Sequence, residues 1–165
     1  MASTAYGGSS QLTDILSERS EFITKHTFDI TGDNDVDKAI EGALTKLEQS
    51  SKRQNYTVLF VEIPTNPDMK VPDYEKLAHA CKEYKNKVKD VKDIIILVDS
   101  TFAPASTPCA RIKQHESDLT TLNFISMSKS VSRGLCCAGT IIAGPTANAE
   151  MWGKEIRDVS EWLDT

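Results

Sequence analysis

Apolar positions in this chain fall into two alternating kinds of segment. One kind is a short unbroken run rich in β-branched residues; the other is a longer polar stretch in which apolar residues return every three or four positions. The runs predict buried strands and the stretches predict amphipathic helices, because side chains repeat every two positions on a strand and about every 3.6 on a helix. Their alternation predicts an α/β fold, with a mostly parallel sheet flanked by helices.

A first helix is expected from Ser10 to Phe22, after a Gly7-Gly8 turn, with Leu12, Ile15, Leu16 and Ile23 near one face. His26 to Ile30 has the composition of a short edge strand. Asp33-Asn34-Asp35 offers helix caps, and Val36, Ile40, Leu44 and Leu47 then make the apolar stripe of a helix reaching Gln49. Tyr56 to Ile63 is β-branched, apolar and closed by Pro64 and Pro67, so it predicts a buried strand whose end is a candidate site loop. Asp73 is placed to cap a helix to about Lys89, with Leu77, Ala80, Cys81 and Tyr84 inward.

Ile94 to Asp99 is the strongest strand signal, an apolar run closed by an acid. A loop containing Pro104 and Pro108 and a short polar helix lead to a further strand, Thr121 to Met127. A last strand spans Thr140 to Ala143 between Gly139 and Gly144. The tail from Ala147 to Leu163 is helical in pattern, with Met151, Ile156, Val159 and Trp162 as expected packing residues.

Composition narrows the function classes. At 165 residues the chain fits one domain, and its 39% apolar and 26% charged content is that of an ordinary globular protein. A net charge of −5 leaves no basic face for nucleic acid. The longest apolar run is too short to span a bilayer, and the N-terminus lacks the pattern of a secretory signal, so a cytoplasmic protein is expected. Cys81, Cys109, Cys136 and Cys137 show no C-x-x-C spacing, and reduced thiols are expected.

Candidate chemistry collects at the strand ends, where open α/β sheets place their functional residues. Asp99 closes one predicted strand, and Lys129 follows another inside Ser126-Met127-Ser128-Lys129-Ser130. A lysine amine able to form a Schiff base and a carboxylate able to keep a pyridine nitrogen protonated are the pair that pyridoxal 5'-phosphate (PLP) requires. Ser126 and Ser128 are small hydroxyls able to donate to a phosphate. Each residue also has a plainer reading. Lysine is usually a solvated surface amine, an acid closing a strand often caps the next turn, and Asn66 between Thr65 and Pro67 is an ordinary turn residue.

Other chemistries are weaker. Ser126-Met127-Ser128-Lys129 satisfies the S-x-x-K pattern of serine-lysine acyl transfer, but the serine is not at a predicted helix start and no K-T-G follows. His79 and Cys81 lie two apart and would point to different faces of their helix, so no metal site is expected.

Four segments taken together resemble one family. Tyr6-Gly7-Gly8, Glu62-Ile63-Pro64-Thr65-Asn66-Pro67, Val98-Asp99-Ser100-Thr101-Phe102-Ala103-Pro104 and Ser126-Met127-Ser128-Lys129 occur in the order and spacing of the Cys/Met metabolism PLP-dependent enzymes. That is the cystathionine γ-synthase, cystathionine γ-lyase and methionine γ-lyase group, and the likeness runs from about Tyr6 to Gly144. It implies that the chain is part of the large domain of the aspartate aminotransferase-like fold, also called fold type I.

The resemblance also implies roles. Lys129 would carry the internal aldimine and shuttle protons, and Tyr6 would stack on the cofactor and assist proton transfer. Asp99 would pair with the ring nitrogen, Asn66 would bond the phenolic oxygen, Ser126 and Ser128 would hold phosphate oxygens, and Glu62 and Thr101 would give supporting contacts. The implied reaction is elimination or replacement at the β- or γ-carbon of a sulfur-containing amino acid, in a homo-oligomer with no nucleic-acid or membrane partner.

This chain departs from the family pattern in having Ser130 after the lysine, Arg133-Gly134-Leu135 where a Gly-His pair is usual, and Ser100 where asparagine is usual. Arg133 reads as a solvent-facing charge in preference to an anion contact. Family members are longer, with an N-terminal arm, a glycine-rich phosphate loop and a C-terminal domain outside the span of residues 1–165. A partial PLP-binding large domain is therefore expected, the alternative being a truncated or degenerate non-catalytic domain with a folding or assembly role.

Overall fold

In the computed structural model, which describes residues 1–50 and 55–162, four strands form one sheet in the order β1-β2-β3-β4. They are β1 (Tyr56–Glu62), β2 (Asp93–Asp99), β3 (Thr120–Ser126) and β4 (Gly139–Ala143). The first three are parallel; β4 runs antiparallel to β3. Two helices, α1 (Gly7–Arg19) and α2 (Val36–Glu48), precede the sheet. Helix α3 (Tyr74–Lys87) connects β1 to β2, α4 (Pro108–His115) connects β2 to β3, and α5 (Met127–Ser130) and α6 (Ala147–Trp162) lie before and after β4.

Register decides which residues share a face. Glu62 aligns with Asp99 and Asp99 with Phe124, so these three side chains project to one side of the sheet. The alternate positions, Leu59, Val61, Ile94, Ile96 and Val98, project to the other side. There they build the core with Ile40 and Leu44 of α2, Leu77, Ala78, Cys81 and Tyr84 of α3, and Ile112 of α4. Ile94 and Ile96 are completely buried, which contributes about 1.5–3 kcal/mol each.

Local chemistry sets the helix starts on this side. Asp35 accepts the amides of Asp37 and Lys38, and Asp73 accepts those of Glu75 and Lys76, each satisfying donors that a helix start leaves open. The buried end of β2 is tied by Asp93, which accepts from Lys85 Nζ at 2.7 Å, Thr120 Oγ1 at 2.5 Å and the Ile94 amide at 3.0 Å.

Several expectations are corrected. Helix α1 runs Gly7–Arg19, so the two glycines lie in its first turn, and it has no buried residue. His26 to Ile30 forms no strand; Phe28 makes a single bridge to Ala2, and both Phe28 and Ile30 are buried. Lys129 lies on the short helix α5. On α6, Met151 and Val159 are exposed and Trp162 is 84% exposed, while Ala149 is buried and Trp152 meets the Tyr56 ring edge-on at 5.4 Å. The predicted helix end at Leu163 lies outside the described residues.

Candidate active site

The carboxyl ends of β1, β2 and β3 lie side by side; β1 and β2 continue into loops braced by backbone bonds, and β3 continues directly into α5. After β1, the Ile63 amide donates to the Asp99 carbonyl at 2.9 Å, extending the pairing by one residue. Thr65 then closes a tight loop: its amide donates to the Lys70 carbonyl, its carbonyl accepts the Met69 amide, and its hydroxyl accepts the Lys70 amide. Lys70 Nζ donates to the carbonyls of Ile30, Gly32 and Asn34, anchoring this loop to the segment before α2. Asn66 is exposed at its tip.

Asp99 ends β2 half-buried, and its Oδ1 accepts the Thr101 amide at 2.9 Å. That bond tightens the turn so that the buried Thr101 hydroxyl accepts the Ser126 amide at 2.9 Å. The end of β2 thus holds the end of β3. Ser126 caps α5 through its backbone conformation alone, with no side-chain cap bond.

Lys129 is exposed on α5, and its Nζ lies over two aromatic rings, 4.1 Å from the centroid of Tyr6 and 5.8 Å from that of Phe102. Both are favourable distances for an ammonium above a π face. Tyr6, at the start of α1, donates its backbone amide to Glu62 Oε1 at 2.5 Å. Residues from α1, β1 and α5 are therefore linked around the ends of the strands.

Glu62 is 6% exposed, and its Oε2 is buried with no hydrogen-bond partner among the described residues. Burial raises its carboxyl above the usual glutamate range, and the nearby charge of Asp99 adds to the rise. The amides of Tyr6 and Asn66 and the Lys129 ammonium draw it back only in part. Glu62 is thus close enough to both Asp99 and Lys129 to feel each charge.

The two serines expected to face a phosphate differ. The Ser128 hydroxyl is engaged with the chain entering β4, donating to the Ala138 carbonyl at 3.2 Å and accepting the Ala138 amide at 3.0 Å. The loop between them reverses through Arg133 and Gly134 at φ of 51° and 85°, a region that glycine adopts without strain. Arg133 is exposed, as its plainer reading has it.

Of the residues singled out in the sequence, Tyr6, Glu62 and Lys129 are joined by direct contacts. Asp99 sits in the same sheet row as Glu62, and Thr101 and Ser126 are bonded to one another. Asn66 meets the group through its backbone. Phe102 and the buried Ser100 were not assigned parts in sequence reasoning, although both lie inside the motif that contains Asp99. An aromatic residue three positions after a strand-end acid was the available signal for Phe102.

The family model for Cys/Met metabolism PLP-dependent enzymes matches residues 1–121. A cystathionine beta-lyase of Coxiella burnetii is 35% identical over 98 residues, 59% of this chain and 20% of that protein. A methionine gamma-lyase of Arabidopsis thaliana is 30% identical over 158 residues, 96% of this chain and 29% of that protein. The chain thus spans less than a third of the length of these curated relatives.

Among solved structures, a Campylobacter jejuni protein assigned as an O-acetylhomoserine (thiol)-lyase, carrying a pyridoxyl-lysine phosphate, matches 87% of this chain and 29% of its own. The TM-score is 0.56 and the identity 26%. The sheet is that of fold type I PLP enzymes, here as four strands flanked by helices. With its motifs, sheet and family match in accord, the chain belongs to the Cys/Met metabolism PLP-dependent enzymes.

Proposed function

We propose that this chain is the lysine-bearing portion of a PLP-dependent enzyme that acts on sulfur-containing amino acids by elimination or replacement at the β- or γ-carbon. The observation that carries the reading is the placement of the Lys129 amine over the Tyr6 ring, with Tyr6 bonded to Glu62 in the same sheet row as Asp99. Names of the matching relatives, a cystathionine beta-lyase and a methionine gamma-lyase, point to the same class of substrate.

The donor set fits the cofactor. Lys129 offers an amine with ring neighbours and no ion pair among the described residues, and Asp99 offers a carboxylate of which one oxygen is engaged by its own turn. When bound, PLP supplies an electron-accepting ring that stabilises negative charge at the substrate carbon. On this reading Lys129 Nζ holds the cofactor covalently and moves protons at the substrate. The Asp99 carboxylate keeps the proton on the ring nitrogen, the Tyr6 ring provides a stacking face, and Asn66 donates to the phenolic oxygen.

Ser126 is the readier phosphate donor, since the Ser128 hydroxyl must first leave Ala138. Thr101 and Glu62 serve by holding Ser126 and Tyr6. A cytoplasmic homo-oligomer is the setting that goes with this reading. No helix among the described residues is long and apolar enough to cross a membrane.

The test is capture. Incubation with PLP, reduction with borohydride and peptide mapping should place the label on Lys129. Recovery of unlabelled Lys129, or a label spread over surface lysines, would overturn the assignment.

A further inference from the structure

Helix α1 buries none of its side chains, so packing does little to hold Tyr6 at its start. The segment before it is anchored: Ala2 and Ala5 are buried, and the Ser3 amide donates to the Phe28 carbonyl at 2.8 Å. Beyond Ala5, the Tyr6 amide bond to Glu62 Oε1 is a link to the sheet, and it comes from a side chain that is itself almost wholly buried. The Tyr6 ring folds back over Gly8, where a Cβ atom would approach ring carbon Cε1 to 2.9 Å. The ring pose therefore depends on two local features, a bare Gly8 and an amide pinned at Glu62.

We propose that Glu62 is the positioning residue for Tyr6, its Oε1 holding the backbone amide so that the ring stays against the Lys129 amine. The proposal rests on the cofactor reading for its purpose, since that ring is the surface on which the cofactor would stack.

The chemistry of Glu62 suits this task. Charged groups face it from two other elements, Asp99 on β2 and Lys129 on α5, and amides face it from Tyr6 and Asn66. Its Oε1 has a donor and its Oε2 has none among the described residues, so protonation at Oε2 leaves Oε1 free to accept. A neutral carboxyl still accepts at Oε1, so the link to Tyr6 survives protonation. Glutamine reproduces that form, whereas methionine fills a similar volume without an acceptor.

The experiment is amide exchange and ring chemical shift by NMR on the 165-residue chain without cofactor. The wild type and E62Q should protect the Tyr6 amide alike, and E62M should speed its exchange about tenfold, the loss of one hydrogen bond. K129Q should shift the Tyr6 ring resonances in the wild-type and E62Q backgrounds and leave them unmoved in E62M. Unchanged Tyr6 protection in E62M would overturn the proposal, because filling the volume would then be enough.

Should E62M fail to fold, the wild-type chain still decides. The Glu62 carboxyl carbon and the Tyr6 amide must titrate with one midpoint, and independent midpoints would overturn the link. PLP capture at Lys129 should slow in E62M and not in E62Q. Absence of capture in the wild-type chain would strike the cofactor reading alone and leave the exchange result standing.

Discussion

The Lys129 amine lies 4.1 Å from the centre of the Tyr6 ring, although the two residues are far apart in sequence, one just before α1 and the other on α5. The contact forms because Tyr6 is drawn to the end of β1 by Glu62, while α5 starts directly at the end of β3. Lys129→Ala should abolish borohydride-trapped PLP at this position, and Lys129→Arg should do the same, since a guanidinium remains protonated and is a poor nucleophile. Mass mapping of the reduced peptide checks both.

Asp99 predicts a separation of capture from turnover. Asp99→Ala should still take PLP at Lys129, while turnover of a sulfur amino acid by the assembled enzyme falls on the order of 10²-fold, the scale of losing one charge partner of the reacting system. Undiminished turnover would contradict the role given to Asp99.

Glu62 predicts a pH dependence of stability. Its folded carboxyl titrates above the ordinary glutamate range, so between the unfolded and folded values the folded chain holds the extra proton. The contribution of this group is therefore most favourable below the ordinary range and is lost as pH rises through the raised value. Urea midpoints measured across that window should fall with rising pH in the wild type, and part of the slope should vanish in E62Q.

The two serines predict opposite effects. Ser128→Ala removes both bonds to Ala138 and should cost about 1 kcal/mol of stability. Ser126→Ala should be nearly silent in stability, because the Ser126 side chain makes no cap bond, yet weaken capture of PLP more than Ser128→Ala does. Denaturant melts and capture rates on both variants check this.

Asp93 and the thiols predict behaviour away from the site. Asp93→Ala strands Lys85 and Thr120 at the start of β2 and should cost about 3 kcal/mol. Of the four cysteines, Cys136 and Cys137 are exposed and should react at once with a thiol reagent, whereas burial pushes Cys81 up to about 12 and also raises Cys109. The latter two should react only on unfolding, which a timed thiol titration measures.

Legibility in the sequence followed the range of the forces involved. The ends of β1 and β2 were readable within a residue, because apolar runs closed by Pro64 and by Asp99 are local signals. The caps at Asp35 and Asp73 were readable for the same reason. The antiparallel course of β4 was not, since strand direction is decided by pairing with β3. His26 to Ile30 had strand composition, but the partner available to Phe28 was one residue, Ala2, and a lone bridge makes no strand.

Helix α6 was readable as a helix, but not its packing. Its apolar stripe has the right period, yet the described elements bury Ala149, partly cover Trp152 and Ile156, and leave Met151, Val159 and Trp162 exposed. The engagement of Ser128 by Ala138 was hidden because it depends on how the loop through Gly134 turns back.

The row that places Glu62 opposite Asp99 limits how this protein can change its length. Deleting or inserting one residue within β1 would send the glutamate to the side filled by Ile96 and Val98 and bring a hydrocarbon chain out beside the aspartate. A length change between the strands would instead leave the row in register, so the pairing of the two acids depends on the count of residues inside each strand.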